Sequence, residues 1–371
     1  MFTKVALLSI LGIAAADAQE VGTISSRVEC LQSFCGMEEP KCDCFARSCS
    51  NAIGMAFEFD VLWWRSENQG FSVGLNESSN GQFNPAVPGS TNIGTILRVF
   101  PQWDPGFKLG LGWNSDFDRW DLFASWTWYQ NFSKTTTVRS DIALGSISND
   151  GLYPLWPVSN SALYGPYRRA YSSWKMLYNA IDLELGRAYF VTRNLTVRPQ
   201  WGARGAWIHQ KFVSSFTEFL QTTGYDEQDF HGKNNWWGVG PRVGIQSDWL
   251  IAQGLRVIGR AATALLYGKT SVYFRSEKEE VGSSALIVDK RFVDSFYEMV
   301  PNLQLYMGLG WGQCFCCNKL YVGIDAGWEV NYWWNQFNLP IGVGGVAMPL
   351  PTTGNQPVSI EGLTLNVHLD Y

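Results

Sequence analysis

Leu363-Thr364-Leu365-Asn366-Val367-His368-Leu369-Asp370-Tyr371 alternates without a break. Leu363, Leu365, Val367, Leu369 and Tyr371 share one face of an extended strand, and Thr364, Asn366, His368 and Asp370 share the other. A period of two with one apolar side and one polar side recurs upstream about ten times, with aromatic residues near many segment ends. This pattern predicts an all-β fold, an antiparallel transmembrane β-barrel whose outside meets lipid and whose inside meets water.

Working outward from the terminal run, residues 54–64 set Met55, Phe57, Phe59, Val61 and Trp63 against Glu58 and Asp60. Phe107, Leu109, Leu111 and Trp113 oppose Lys108, Gly110 and Gly112. Later segments set Leu122, Ala124, Trp126 and Trp128 against Asp121, and Ile181, Leu183 and Leu185 against Asp182 and Glu184. Arg198, Arg204, Arg242, Arg256 and Arg260 fall on the polar parity of three consecutive segments, and Asp325 and Glu329 on that of a fourth. Short connections near 114–119, 188–194, 248–254 and 312–318 alternate with long ones at 65–92, 139–172, 215–234 and up to about residue 360. Short turns on one side and long loops on the other give about 10 strands, or up to 16 if the long loops hold further pairs.

A soluble sandwich is the competing reading. It would put the apolar face inward and leave the charges outside. With the polar face inward instead, so many Arg, Asp and Glu side chains cannot make a dry core without a large desolvation cost. Aromatic residues are 15% of the chain, with 18 Trp, 15 Tyr and 22 Phe, as expected of two interfacial girdles. Mean hydropathy is only -0.10, and no run beyond residue 18 is long and apolar enough for a spanning helix.

The start of the chain reads as a signal peptide over 1–18: a basic head at Lys4, an apolar run, then Ala16-Asp17-Ala18. Residues 19–51 form a Cys-rich segment carrying Cys30, Cys35, Cys42, Cys44 and Cys49, placed in the periplasm, and 52–371 form the barrel. Cys314, Cys316 and Cys317 sit in a short connection. Cys42-x-Cys44 and Cys314-x-Cys316-Cys317 do not supply the two CxxC pairs of a zinc ribbon, so disulfides in an oxidising compartment are expected rather than a metal site. A net charge of -5 offers no basic bias toward nucleic acid.

Three stretches resemble the Legionella-type major outer membrane protein family, which includes such proteins of environmental chlamydiae. They are Trp103-Asp104-Pro105-Gly106-Phe107-Lys108-Leu109-Gly110-Leu111-Gly112-Trp113 with Trp120-Asp121-Leu122-Phe123, Tyr178-Asn179-Ala180-Ile181-Asp182-Leu183-Glu184-Leu185-Gly186-Arg187, and the run from Leu195 to Ile208. The resemblance implies a pore-forming protein of the bacterial outer membrane, in an envelope cross-linked by disulfides to itself or to other envelope proteins.

Glu58, Asp60, Asp121, Asp182, Glu184, Arg198, Arg204, Arg242, Arg256, Arg260, Asp325 and Glu329 are therefore the expected pore lining. Two arrangements stay open: opposed basic and acidic walls across a wet lumen, or pairs that fill a narrow barrel. Asp182 and Glu184 suit acid–base chemistry by type, but their i, i+2 spacing reads as lumen lining, and no Ser-His-Asp order is present. The expectation is a passive porin for small hydrophilic solutes or ions, embedded in the outer-membrane bilayer, with no catalytic residues, no metal and no cofactor. The alternative is an adhesin or a cross-linked structural protein anchored by its barrel.

Overall fold

The computed structural model describes residues 54–68, 72–77, 94–115, 120–138, 151–154, 166–219, 225–252, 254–280, 286–315, 320–338, 340–341, 352–353 and 356–371. The expected signal peptide, the segment holding Cys30, Cys35, Cys42, Cys44 and Cys49, and the pair Cys316 and Cys317 lie outside these residues.

Ten long strands make the wall: β1 (Met55–Asn68), β2 (Trp103–Asn114), β3 (Trp120–Val138), β4 (Tyr167–Arg187), β5 (Leu195–Phe219), β6 (Tyr225–Ala252), β7 (Leu255–Glu280), β8 (Leu286–Phe315), β9 (Leu320–Phe337) and β10 (Gln356–Asp370). Each pairs antiparallel with the next, and β10 returns to β1, with Phe59 opposite Val367. The closing seam continues past the strand ends: the Met55 amide donates to the Tyr371 carbonyl at 3.0 Å, and the Tyr371 amide donates back at 2.8 Å. Closure removes the sheet edges, which lipid cannot satisfy. Among the described residues there is no helix.

Alternation aims the side chains as the sequence predicts. Phe57, Val61, Ile181, Leu183, Ile245, Leu309, Leu363 and Leu365 are exposed on the outer surface, while Asp60, Asp182, Arg204, Thr364 and Asn366 are buried inside. The strand ends that border the short connections, Asn114 and Trp120, Arg187 and Leu195, Ala252 and Leu255, and Phe315 and Leu320, lie at one end of the barrel, together with Met55 and Tyr371.

Several expected loops are strand instead. The stretch expected as a long loop over 215–234 is mostly wall: β5 and β6 stay paired up to Glu227 opposite Thr217. The charged run 277–280 likewise ends β7 and pairs with β8 from Glu277 opposite Val288. Above the lipid the outward face no longer has to be apolar, so a strand can continue where hydropathy alternation stops. Residues 94–114 divide between the wall and a smaller extension of the sheet. Gly94–Arg98 leaves the wall to pair with Ser72–Glu77, which pairs with Gly151–Pro154 and through it reaches β4.

Candidate functional site in the barrel interior

The interior divides into two zones along its axis. Toward the short turns it holds charge. Arg204 on β5 lies opposite Asp182 on β4, and its Nε and Nη2 both donate to that carboxylate at 2.6 Å. The same guanidinium reaches across to β8, donating Nη2 to Gln304 Oε1 at 2.7 Å and Nη1 to Asn302 Oδ1. Arg242 on β6 donates to Glu184 at 2.7 Å, and Arg198 donates to Asp121 at 2.8 Å. On the far side Asp325 lies 3.8 Å from Arg256 and 3.6 Å from Arg260.

Lys108 joins the two sides. Its Nζ is 3.4 Å from Asp60 and 3.3 Å from Glu329. Glu329 also accepts from Gln304 at 2.5 Å, Asn331 at 3.1 Å and Thr364 at 3.2 Å. A charged group this deep is tolerated only when it is paired and hydrogen-bonded, and Glu329 has a full set of donors.

All twelve expected lining residues stand on the inward parity; Glu58, close to the short-turn end, is half-buried. Glycine makes room for this density. A Cβ on Gly310 would run into the Asp325 carboxylate and come 2.8 Å from Ile258.

Toward the long loops the interior is aromatic. Trp64, Tyr129, Tyr178, Phe212, Phe216, Phe230, Trp236, Phe274, Trp333 and Phe337 are each buried within one continuous cluster. Tyr178 on β4 meets Trp333 on β9 at 5.9 Å between ring centroids, and these two strands stand on opposite walls. Trp236 on β6 meets the same Trp333 at 5.7 Å. Gln210 and Asn234 both donate to the Gln336 carbonyl, at 2.7 and 2.6 Å. Leu152, from the segment above β4, joins the cluster, and Leu97 packs against it. The rings therefore bridge the full width of the barrel.

Sequence reading misses Lys108 and the aromatic zone. The signal for the second was present: Trp63-Trp64, Trp236-Trp237 and Trp333-Trp334 are doublets inside alternating strands. A period of two must send one ring of each doublet to lipid and one inward. Trp63, Trp237 and Trp334 are 50%, 46% and 39% exposed, against 0%, 1% and 0% for their partners.

Residues 49–371 match the model of the family described as Legionella pneumophila major outer membrane protein precursor. The chain belongs to that family. It is an outer-membrane β-barrel protein of a bacterium, as the sequence resemblance predicts. No curated protein sequence matches it. Similar solved structures include the outer membrane protease OmpT from Escherichia coli, at 8% identity and TM-score 0.41, covering 86% of this chain and 96% of that one. A major outer membrane protein from Thermus thermophilus is 10% identical, with TM-score 0.27, covering 85% and 99%. The outer membrane protein OprG from Pseudomonas aeruginosa is 13% identical, with TM-score 0.28, covering 71% and 98%. The expectation that the chain is not an enzyme is corrected by the first of these. That structure is a protease, and the expectation of no enzymatic activity does not stand.

Proposed function

We propose that the barrel is a narrow channel for small hydrophilic solutes or ions, with the charged zone as its selective stretch and the aromatic zone as its closing element. The carrying observation is the run of ionised side chains inside a lipid-embedded wall. A barrel serving only as an anchor gains nothing from such groups, since well-packed apolar residues would hold the interior as well or better. Unmatched polar atoms support a wet path. Arg242 Nη1, Asn331 Oδ1, Asn366 Oδ1 and His368 Nδ1 are buried without a hydrogen-bond partner among the described residues, and water ordinarily meets such atoms. The aromatic zone is itself incompletely satisfied at Trp236 Nε1, Trp333 Nε1 and the Gln336 side chain, which suits an element that can leave its place.

The domain plan belongs to the same proposal: residues 1–18 removed on export, 19–51 in the periplasm, and the barrel after them. Five upstream cysteines and three downstream are both odd numbers, so complete internal pairing requires a bridge between Cys30–Cys49 and the 314–317 turn. Cys314 is disulfide-bonded, which such a bridge requires and a link within the turn would equally satisfy.

A second reading, an anchored adhesin or cross-linked envelope protein, is favoured by the dry aromatic zone. Single-channel recording of the refolded protein in a planar bilayer separates the two. Discrete, low-conductance openings are expected of a channel whose outer half is filled. A bilayer that stays silent at every voltage while the protein keeps its heat-modifiable mobility would favour the anchor.

A further inference from the structure

We propose that the outer surface of β4, β5 and β6, just above the aromatic girdle, is a binding site for the phosphate groups of an anionic outer-leaflet lipid. Lys175, Lys211 and Lys233 stand in one register row on these three adjacent strands. All three are exposed on the face that carries the lipid-contacting residues lower down. Like charges placed directly across a strand pair repel. Among the described residues, no carboxylate lies within ion-pair distance of any of the three. Their contacts are with rings instead: Lys175 Nζ sits 4.6 Å from the Phe132 centroid and Lys233 Nζ 5.8 Å from that of Tyr273. Such rings hold the ammonium groups in place without neutralising them.

A cavity of about 190 Å³ opens at this row, lined by the three lysines together with Gln130, His209 and Asn235. His209 lies opposite Asn235, one step below the lysines. The lysines, Gln130, His209 and Asn235 bring positive charge and hydrogen-bond donors to a cavity whose walls, with Met176 and Leu177, are largely apolar, a pairing that suits a phosphate carried on a lipid.

Height on the barrel names the source. Trp207 and Trp237 face each other four residues below Lys211 and Lys233 and point to lipid. Four residues of tilted strand rise about 10 Å, which places the lysines at headgroup depth above the acyl boundary. They lie toward the long-loop end, which faces the outside in bacterial barrels. A free phosphate ion would have no reason to find its site on the lipid-facing parity of the wall.

The test uses the full chain refolded in zwitterionic detergent, with bound lipid counted by native mass spectrometry. The probes are a bis-phosphorylated glucosamine lipid and the same lipid stripped of its phosphates. The phosphorylated lipid should be retained and the stripped one lost. The triple variant Lys175→Gln, Lys211→Gln, Lys233→Gln should bind the phosphorylated lipid roughly 100-fold more weakly, at about fivefold per lysine. Its heat-modifiable mobility should not change. Excess inorganic phosphate should leave the lipid in place. Equal retention of both lipids, or undiminished retention by the triple variant, overturns the proposal; displacement by inorganic phosphate makes it a free-anion site and overturns the lipid assignment. Should the triple variant not refold, the comparison of the two lipids on the unaltered protein decides alone.

Discussion

The two halves of the barrel interior follow the same alternation and hold opposite chemistry. Toward the short turns Arg204, Asp182, Arg242, Glu184, Lys108 and Glu329 interlock by charge. Toward the long loops Tyr178, Trp236 and Trp333 interlock by ring packing. The outer face in the membrane is apolar along both, because lipid sets it. The inner face is not constrained by lipid, so its change from charge to rings along the axis points to the lumen's own task. In the proposed channel the charged stretch discriminates between ions only where water reaches it, and the packed rings decide whether water passes.

The contrast is sharpest when a single partner is removed from each half. Arg204→Ser leaves Asp182 buried without its bidentate donor, and the expected loss is about 3–5 kcal/mol in the denaturation midpoint followed by tryptophan fluorescence. Arg204→Met with Asp182→Leu should recover most of it, since both charges then leave together. If Arg204→Ser costs under about 1 kcal/mol, water already screens the pair, and the charged half is wetter than its burial suggests. Trp236→Ala should also cost about 3–5 kcal/mol as a packing cavity, but with no rescue by a second truncation at Trp333.

A selectivity change is expected next. Replacing Arg204, Arg242 and Arg260 with Ser removes three positive charges from the interior, so the reversal potential in a salt gradient should move toward cations. An unmoved potential in an open channel would remove these arginines from the pathway. The smallest effect should come from the outside. Arg65 and Glu361 pair at 2.5 Å, but both are partly exposed. Arg65→Gln should change stability by less than about 1 kcal/mol, and a loss as large as that of Arg204→Ser would mean that burial does not separate the two kinds of pair.

Much of the wall was legible in the sequence. The outward parity of Phe57, Val61, Leu309 and Leu363, together with the spacing of the short turns, carries the strand number and the closure. Parity also brings the arginines and carboxylates inside. It says nothing about which wall each side chain reaches, because that depends on a strand's position around the circumference. Lys108 illustrates the limit. In sequence it is one cation beside Gly110 and Gly112; in space it ties Asp60 on β1 to Glu329 on β9. The strand ends above the membrane were lost for a different reason. Outward Ser215, Thr217, Glu227 and Asp229 continue the pairing of β5 and β6 with no apolar outer face to mark it.

The account rests on the barrier lying in the aromatic half, and single-channel conductance of two double variants tests this most directly. Trp236→Ala with Trp333→Ala removes the rings that span the barrel, whereas Arg242→Ser with Glu184→Ser removes a charge pair as a unit. The first should raise conductance severalfold above that of the unaltered protein and lengthen the openings; the second should leave the openings short and shift only their ion preference. A large rise from the charge-pair variant, with none from the tryptophan variant, would place the barrier in the charged half and contradict the account.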